Sequence, residues 1–310
     1  MNPRSLDHLT TIILRDILNW AAEYLKSRHI SSARLDSEVL LSFVLNKDRT
    51  YLYQNSESRI QNPEFKIFKE FIERRGMMEP VSYITGEKEF WSLKFKVTKD
   101  TLIPRPETEI LVQTVLDIIR SQKLKIFNLQ SSIFNPIHIL DIGTGSGNIA
   151  VSIAKESPES HVFTVDKSDN ALSVAKENAI THNVAGKITF IRGDLYDFGF
   201  KNSQIPKIFD IIVSNPPYIP TDDIEGLMSE VKDWEPRWAL DGGKDGLKII
   251  REIVKDTPIF LEPKGFLVME IGFDQAEDVK NIIKATDKFS DIRFIKDLSG
   301  IERVVTAWKR

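Results

Sequence analysis

Large apolar residues in the first part of the chain recur at the spacing of one helix face. Over residues 9–25 they fall at every third or fourth position, so they line one side of a helix. A second stripe of this kind runs over 32–45. A third helix is predicted from Asn62, as its N-terminal cap, to Gly76, as its terminating residue. These helices predict a small helical bundle over residues 1–80.

The pattern changes to alternating apolar and polar residues after the bundle. Residues 81–106 combine this alternation with turn residues, which predicts a β-hairpin linker. A helix is predicted next, over 107–120, and it begins a second domain, 107–310.

Strands and helices are predicted to alternate from residue 136 onward, as in a parallel sheet with helices on both faces. Only the short stretch LSGI separates the last two predicted strands, so we expect them to form a hairpin that adds an antiparallel strand at the sheet edge. The fold class is therefore α/β, with a doubly wound, mostly parallel seven-stranded sheet and a helical bundle. The predicted strands cover residues 137–142, 161–166, 187–192, 209–214, 265–271, 292–297 and 303–308.

Charge and composition narrow the classes of partner. The 310-residue chain has a formal net charge of -3, which argues against binding nucleic acid mainly through a basic surface. It contains no cysteine, which excludes disulfides and thiolate metal sites. Charged residues interrupt the first apolar stretch, and no uncharged run is long enough to span a bilayer. We expect a cytoplasmic monomer without membrane contact.

A glycine-rich turn follows the first strand of the sheet, in ILDIGTGSGNIAVSIA. Glycines let the backbone approach a ligand, and the helix that begins near Ser146 offers free N–H groups. The dinucleotide fingerprint needs Gly or Ala where Asn148 stands, so a pyrophosphate is not expected. The turn instead predicts a site for another small molecule, formed by Asp141, Gly143, Thr144, Gly145, Ser146 and Gly147.

Two more acidic residues follow the next two strands. Asp166 ends the second strand, where its carboxylate can accept hydrogen bonds from both hydroxyls of a ribose. Asp194 follows the third strand and can accept from an adenine amino group, with Leu195 as an apolar wall. Each signal alone is also typical of a helix cap or a structural turn. Because the carboxyl ends of parallel strands share one edge, the three signals together predict one ligand site.

With these motifs the chain resembles the class I S-adenosylmethionine-dependent methyltransferases over roughly residues 80–310. The resemblance implies a Rossmann-like fold and S-adenosyl-L-methionine as the cofactor, with S-adenosyl-L-homocysteine as its product. It implies that DIGTGSG contacts the methionine part, that Asp166 binds the ribose and that GDL lies beside the adenine. We expect no metal, because the acidic residues do not cluster with histidines in the sequence.

The predicted fourth strand leads into SNPPYIP, and the two prolines of this segment can belong neither to the strand nor to a helix. Pro216 keeps Asn215 out of the helical conformation and makes the loop rigid. The side-chain oxygen of Asn215 and the backbone carbonyl of Pro216 can accept both hydrogens of a planar NH₂ group. Pro217 and Tyr218 are predicted to pack against its plane. Such a segment resembles that of methyltransferases acting on a planar nitrogen of adenine, cytosine or glutamine.

Three stretches narrow this resemblance to the release-factor glutamine N5-methyltransferases of the HemK/PrmC family. They are PVSYITGEKEFWSLKFKVTKDTLIPRPETE, VSNPPYIP and WEPRWALDGGKDGL, and the similarity spans essentially the whole chain. It implies methyl transfer to the N5 side-chain amide of the glutamine in the Gly-Gly-Gln motif of peptide chain release factors 1 and 2, which the N-terminal bundle recognises. The resemblance also implies catalytic roles for Asn215, Pro216 and Tyr218. It places Arg105 at the substrate and Glu107 on the wall of the pocket.

Two other functions stay open at this stage. An adenine-N6 methyltransferase acting on DNA or RNA uses the same kind of clamp on a flipped base. Such an enzyme is expected to carry a basic tract, whereas residues 1–80 contain twelve Lys or Arg against eleven Asp or Glu. Direct binding of nucleic acid is therefore not required. The other alternative is a partner-binding scaffold that has kept the fold without the activity.

Overall fold

The structure, a computed structural model, describes residues 13–127, 136–197 and 205–310. The α-helices in these ranges are α1 (Leu14–Ser27), α2 (Ala33–Leu45), α3 (Arg49–Gln54), α4 (Asn62–Gly76), α5 (Val81–Thr85), α6 (Thr108–Phe127), α7 (Asn148–Glu156), α8 (Asp169–Thr181), α9 (Ser229–Lys232), α10 (Lys248–Phe260) and α11 (Ala276–Ala285). The β-strands are β1 (Glu87–Phe90), β2 (Leu93–Lys96), β3 (Ile137–Ile142), β4 (Ser160–Asp166), β5 (Ile188–Arg192), β6 (Phe209–Ser214), β7 (Leu261–Glu270), β8 (Phe289–Lys296) and β9 (Glu302–Lys309).

The chain folds into two compact units. The first contains the residues up to Gly86 together with Met228–Trp234, and the second contains Glu87–Leu227 and Glu235–Arg310. The segment 228–234 thus groups with the helical unit, although it follows the fourth strand of the sheet in the sequence. Each unit has a hydrophobic core of its own.

The first unit is helical, and its core is rich in aromatic side chains. Trp20 of α1 is buried and lies 6.3 Å from Phe65 and 6.5 Å from Phe68, between ring centroids, on α4. The apolar stripes that predict α1 and α2 supply other buried residues, such as Ile17 and Leu40. The predicted first helix began at residue 9, and residues 9–12 lie outside the described part of the chain.

The bounds of α4, Asn62–Gly76, match the prediction, but the capping of its two ends does not. Gln61, not Asn62, is the N-cap, and its backbone N–H donates to the Glu64 carboxylate at 3.1 Å. Gly76 is the last helical residue and does not terminate the helix by a left-handed turn; Met78 takes that conformation, at φ 68°. A Cβ at Gly76 would lie 2.7 Å from Tyr24 Cε1, so close helix packing explains this glycine.

A buried arginine joins three parts of the first unit. Arg75 of α4 is almost fully buried, and its guanidinium lies 2.7 Å from Asp36 Oδ2 of α2. It also lies 2.7 Å from Glu230 Oε2, in the segment 228–234. The arginine therefore ties this segment to the helices by charge-assisted hydrogen bonds.

The second unit begins with a hairpin inside the predicted 81–106 stretch. Strands β1 and β2 pair antiparallel, and the turn residues Trp91 and Ser92 both have positive φ, 54° and 56°. Two consecutive left-handed residues are typical of the hairpin turn whose twist matches the strands.

The large sheet has the order β5-β4-β3-β6-β7-β9-β8. All pairs are parallel except those of β9, which runs antiparallel to both β7 and β8. This confirms the predicted fold class. The antiparallel strand is β9, which lies between β7 and the edge strand β8. Strand β7 begins at Leu261, four residues before its prediction, because it continues through Pro263 and Gly265 across an irregular register with β6.

The order of the strands positions the site. The chain runs outward from β3 through β4 to β5 and then returns to β6 on the other side of β3. Such a reversal leaves a crevice at the carboxyl ends of the two central strands, where open α/β sheets bind ligands. Ile142 at the end of β3 pairs with Ser214 at the end of β6, so the loops after these strands start side by side.

The role of the buried arginine can be tested by its removal. We expect Arg75→Ala to lower the free energy of unfolding by about 3 kcal/mol, because two carboxylates lose their counter-charge in a buried setting. Arg15→Ala is the matched control, since Arg15 is exposed and pairs with exposed Glu57, and its cost should stay below about 1 kcal/mol. Urea unfolding followed by circular dichroism measures both. Equal effects of the two substitutions would contradict the structural role of Arg75.

Candidate active site

A cavity of about 530 Å³ opens at the carboxyl ends of β3, β4, β5 and β6. This volume is within the range of small-molecule sites. The residues predicted from the sequence that line it are Arg105, Gly143, Thr144, Gly145, Ser146, Asp166, Asp194, Leu195, Asn215 and Pro217. Other predicted residues, Asp141, Gly147, Pro216 and Tyr218, are not part of the lining. Glu107 is exposed and does not line this cavity either.

The glycine-rich turn between β3 and α7 has three left-handed residues. Gly143, Gly145 and Gly147 have φ values of 80°, 54° and 80°, which side chains rarely adopt. A Cβ on Gly143 or Gly145 would meet nothing within 4 Å, whereas one on Gly147 would lie 2.9 Å from Ala175 Cβ on α8. The first two glycines therefore serve the backbone conformation at the cavity, and Gly147 also allows α7 and α8 to approach.

Asp166, at the end of β4, connects two loops of the cavity. Its Oδ2 accepts from the Gly145 N–H and its Oδ1 accepts from the Ser168 N–H, both at 2.9 Å. An ionised carboxylate has about four acceptor positions, so further hydrogen bonds are open to it. The side chain is partly exposed where it lines the cavity. It can thus hold the glycine-rich turn and accept from a ligand at the same time.

Asp141 lies under the glycine-rich turn and is fully buried. Its Oδ2 accepts from the Thr164 hydroxyl at 2.8 Å. Burial raises the pKa of Asp141 to about 6, since the charged form is poorly solvated there. Asp141 Oδ1 and Thr144 Oγ1 are buried without a partner among the described residues. The Thr144 hydroxyl nonetheless acts on the Asp141 carboxyl group and lowers its pKa, and Asp141 does not line the cavity, so it supports the turn from below.

The loop after β6 presents Asn215 at the cavity with a fixed amide orientation. Asn215 Nδ2 donates to Thr108 Oγ1 of α6 at 3.2 Å. This contact uses the amino group of the amide, so its oxygen, the only acceptor of the side chain, is left for another partner. Thr108 is itself buried and lines the cavity.

Tyr218 is directed into the protein. Its hydroxyl donates to Glu270 Oε1 at 3.2 Å, and Glu270 is buried at the end of β7. Burial raises the pKa of the tyrosine hydroxyl above its usual range and raises the pKa of Glu270 to about 7. The packing of Tyr218 against a planar substrate group stays a prediction.

The stretch ALDGG and its continuation hold the Asn-Pro-Pro-Tyr loop from behind. The Ile219 N–H donates to Leu240 O at 3.0 Å, and the Gly242 N–H donates to Ile219 O at 2.9 Å. Gln275 Nε2 donates to Tyr218 O at 2.9 Å. Gly246, at φ 72°, passes so close that a Cβ would lie 2.4 Å from Tyr218 O. These contacts explain the role of the stretch WEPRWALDGGKDGL, which stabilises the conformation of the Asn-Pro-Pro-Tyr loop.

Arg105 reaches the cavity from the stretch before α6 and is held by a buried carboxylate. It pairs with Glu235, whose Oε2 also accepts from the Ile103 N–H at 3.0 Å. Neither Glu235 nor Thr108 was predicted as a site residue. Glu235 lies inside the stretch WEPRWALDGGKDGL and Thr108 lies inside PRPETE, so the motifs that indicated the family contained both residues. Their partners, Arg105 and Asn215, are 130 and 107 residues away in the sequence.

The described part of the chain contains neither a metal-binding cluster nor a membrane-spanning helix. In ranges 13–127, 136–197 and 205–310 no three His, Asp or Glu side chains are grouped so that they could hold a metal ion. Within the same ranges no helix combines the length and the apolar character needed to cross a membrane.

Comparison with known proteins identifies the family. Residues 16–86 match the model of the PrmC N-terminal domain, and residues 120–229 match that of the methyltransferase small domain. The chain is 40% identical to the release factor glutamine methyltransferase of Geobacter sulfurreducens over 94% of its length and 95% of the relative's. It is 39% identical to that of Clostridium acetobutylicum over 95% and 98%. The chain belongs to the release factor glutamine methyltransferase family.

Membership of the release factor glutamine methyltransferase family confirms the resemblance stated from the sequence and the predicted class of enzyme. A solved structure agrees on the fold alone. The crystal structure of the hMettl16 catalytic domain in complex with MAT2A 3′UTR hairpin 6 is similar with a TM-score of 0.53 at 14% identity, over 80% of this chain and 82% of that one.

The bracing of the Asn-Pro-Pro-Tyr loop generates a test. Gly246→Ala should lower the free energy of unfolding by about 1 to 3 kcal/mol, because it combines a left-handed φ with a clash against Tyr218 O. Gly226→Ala is the control, since a Cβ there meets nothing within 4 Å. Thermal unfolding of both variants gives the comparison. If the Gly246 variant were as stable as the control, the close approach described above would be wrong.

Proposed function

We propose that this protein transfers a methyl group from S-adenosyl-L-methionine to the N5 side-chain amide of the glutamine in the Gly-Gly-Gln motif of peptide chain release factors 1 and 2. The observation that carries the proposal is the adjacency of two loops in one cavity. The glycine-rich turn after β3 and the loop with Asn215 after β6 start from paired residues and both line the cavity. Two relatives, 40% and 39% identical to the chain, are named release factor glutamine methyltransferases.

The described residues fit S-adenosyl-L-methionine. At Gly143 and Gly145 the turn offers backbone without side chains to the cavity, and a Cβ at either position would meet nothing within 4 Å. Asp166 is assigned to the ribose hydroxyls, and Asp194 and Leu195 are assigned to the adenine. When bound, S-adenosyl-L-methionine supplies a methyl group attached to positively charged sulfur.

The protein's own contribution at the substrate is orientation. Asn215 Oδ1 and the Pro216 carbonyl accept the two hydrogens of the glutamine amide, which aims its nitrogen at the methyl group. The same acceptors favour the positive charge that develops on this nitrogen during transfer. Pro217 bounds the planar amide, and Arg105 is placed to contact the substrate. No general base is required for the transfer, since the methylated nitrogen can lose its proton afterwards.

Recognition of the release factor is assigned to the helical region, residues 1–80, which the hairpin linker 81–106 joins to the methyltransferase domain 107–310. Among described residues, this region exposes several large apolar side chains, and side chains of this kind bind a protein partner where they lie together in one patch. They are Leu35, Phe43, Tyr53, Ile67 and Met77. The nearly balanced charge of the region favours a protein partner over nucleic acid. The cytoplasmic location and the monomeric state stay predictions.

The function is tested directly by mass spectrometry. The purified protein is incubated with S-adenosyl-L-methionine and a release factor, and the peptide with the Gly-Gly-Gln motif is then sequenced. We expect one added methyl group on the glutamine, and none when that glutamine is replaced by alanine. Parallel reactions with DNA and RNA test the alternative. Methyl transfer to adenine, with an unmodified release factor, would overturn the proposal.

Two substitutions separate catalysis from cofactor binding. Asn215→Ala should lower kcat by about a hundredfold or more, because the amide loses its orientation, while the Kd for S-adenosyl-L-methionine changes by less than about threefold. Asp166→Ala should raise this Kd by about tenfold or more, since hydrogen bonds to a charged group are lost. Methylation kinetics and calorimetry supply the two readouts.

Matched controls use exposed residues of the same kind. Asn281→Ala on α11 and Asp117→Ala on α6 remove the same groups from exposed residues that do not line the cavity. Both should keep the kcat and the Kd of the unchanged protein. An Asn215 variant with unchanged kcat would remove Asn215 from the catalytic role.

A further inference from the structure

A carboxyl group is buried behind the Asn-Pro-Pro-Tyr loop without an evident structural reason. Glu270 ends β7, next to β6, and only 2% of its surface is exposed. Its Oε1 accepts from the Tyr218 hydroxyl at 3.2 Å, and its Oε2 has no partner among the described residues. Burying such a group is costly unless neighbouring donors compensate. Its surroundings should therefore contain a further donor.

The orientation of the Asn215 amide depends on what its amino group contacts. An asparagine side chain has one acceptor oxygen and one amino group, and the hydrogen-bond network decides which faces which way. Here Nδ2 donates to Thr108 Oγ1 at 3.2 Å. In the opposite orientation the amino group would face the substrate amide, and two donors would then oppose each other.

The Thr108 hydroxyl permits only one of these orientations if its own proton is already committed. A hydroxyl that donates its proton elsewhere can only accept from Asn215. The buried Oε2 of Glu270 is an acceptor without a partner among the described residues, and the Thr108 hydroxyl lies close enough to lower the pKa of this carboxyl group. An ionised carboxylate has no proton to give, so it can accept from both Thr108 and Tyr218.

We propose that Glu270 is a positioning residue that accepts the hydroxyl protons of Thr108 and Tyr218 and thereby keeps the Asn215 oxygen directed at the substrate nitrogen. The inference rests on the proposed function, since it concerns how the substrate amide is held. Glu270 acts through Thr108 and is not itself part of the cavity lining.

The charge state of Glu270 offers a readout of this role. The groups that act on it are the hydroxyls of Thr108 and Tyr218, Arg303 on β9 and Glu107 before α6. Burial raises the pKa of Glu270 to about 7; the two hydroxyls and Arg303 oppose the rise, and Glu107 adds to it. Below this pH the protonated carboxyl loses one acceptor, and above it the ionised group accepts from both hydroxyls. We therefore expect kcat to rise with pH through about 7.

Glu270→Gln is the central variant, because it keeps the shape and replaces one acceptor by an amino donor. Its amino group would donate to Thr108, whose proton would then turn toward Asn215 and reverse the amide. We expect kcat for methylation of a release factor to fall by about tenfold to a hundredfold, and the rise of kcat near pH 7 to disappear. The Kd for S-adenosyl-L-methionine and the thermal midpoint should stay close to those of the unchanged protein.

Further variants separate positioning from stability. Glu277→Gln on α11, an exposed residue with the same chemical change, is the control and should alter none of these readouts. Thr108→Val removes the intermediate hydroxyl and should lower kcat to a similar extent, whereas Thr108→Ser should restore most of it. Because both residues act along one chain of contacts, Glu270→Gln combined with Thr108→Val should lower kcat little more than either alone.

The outcomes are distinct for the two proposals. If the unchanged protein does not methylate the release factor, the proposed function fails. If it does so and Asn215→Ala is inactive, while Glu270→Gln and Thr108→Val retain full kcat and the pH profile, only the positioning role fails. Should Glu270→Gln fail to fold, Thr108→Val and Thr108→Ser decide: full activity of the valine variant overturns the role, and loss with rescue by serine supports it.

Discussion

The parallel pairing of β3 with β6 is the constraint on which the site depends. The chain leaves β3 in one direction and returns on its other side, so no loop crosses the edge between these two strands. The glycine-rich turn and the Asn-Pro-Pro-Tyr loop, which are about 70 residues apart in the sequence, therefore begin from the paired residues Ile142 and Ser214. Without this pairing neither motif would have a partner.

Rigidity on the substrate side comes from several elements that converge on one short loop. Pro216 restricts Asn215, the stretch ending at Gly246 lies against the backbone of Tyr218, and Gln275 bonds its carbonyl. Thr108 orients the amide of Asn215 from α6. A loop that is braced from all these directions can hold a planar group in one geometry without paying the entropy of ordering itself during each reaction.

Buried polar groups concentrate around the same cavity. Asp141 lies under the glycine-rich turn, Glu270 lies behind Tyr218, and Glu235 holds Arg105. In an ordinary core such groups would be replaced by apolar side chains at little cost or with a gain in stability. Their presence at the carboxyl edge of the sheet indicates that this region is built for polar recognition, and in the helical unit the buried Arg75 instead connects segments that are distant in the sequence.

The secondary-structure elements and the motifs could be predicted from the amino-acid sequence alone. Periodicity located the seven strands and the main helices, and the motifs named the family, because spacing and residue type are local properties of the chain. The bounds of α4 were right, but the capping roles predicted for Asn62 and Gly76 were wrong, since packing against Tyr24 decided the role of Gly76. The position of β9 between β7 and β8, and the support that Thr108, Glu235 and Glu270 give to the site, became visible only in the folded chain. These side chains come from distant parts of the chain. A local sequence pattern does not show which of them come into contact when the strands pair.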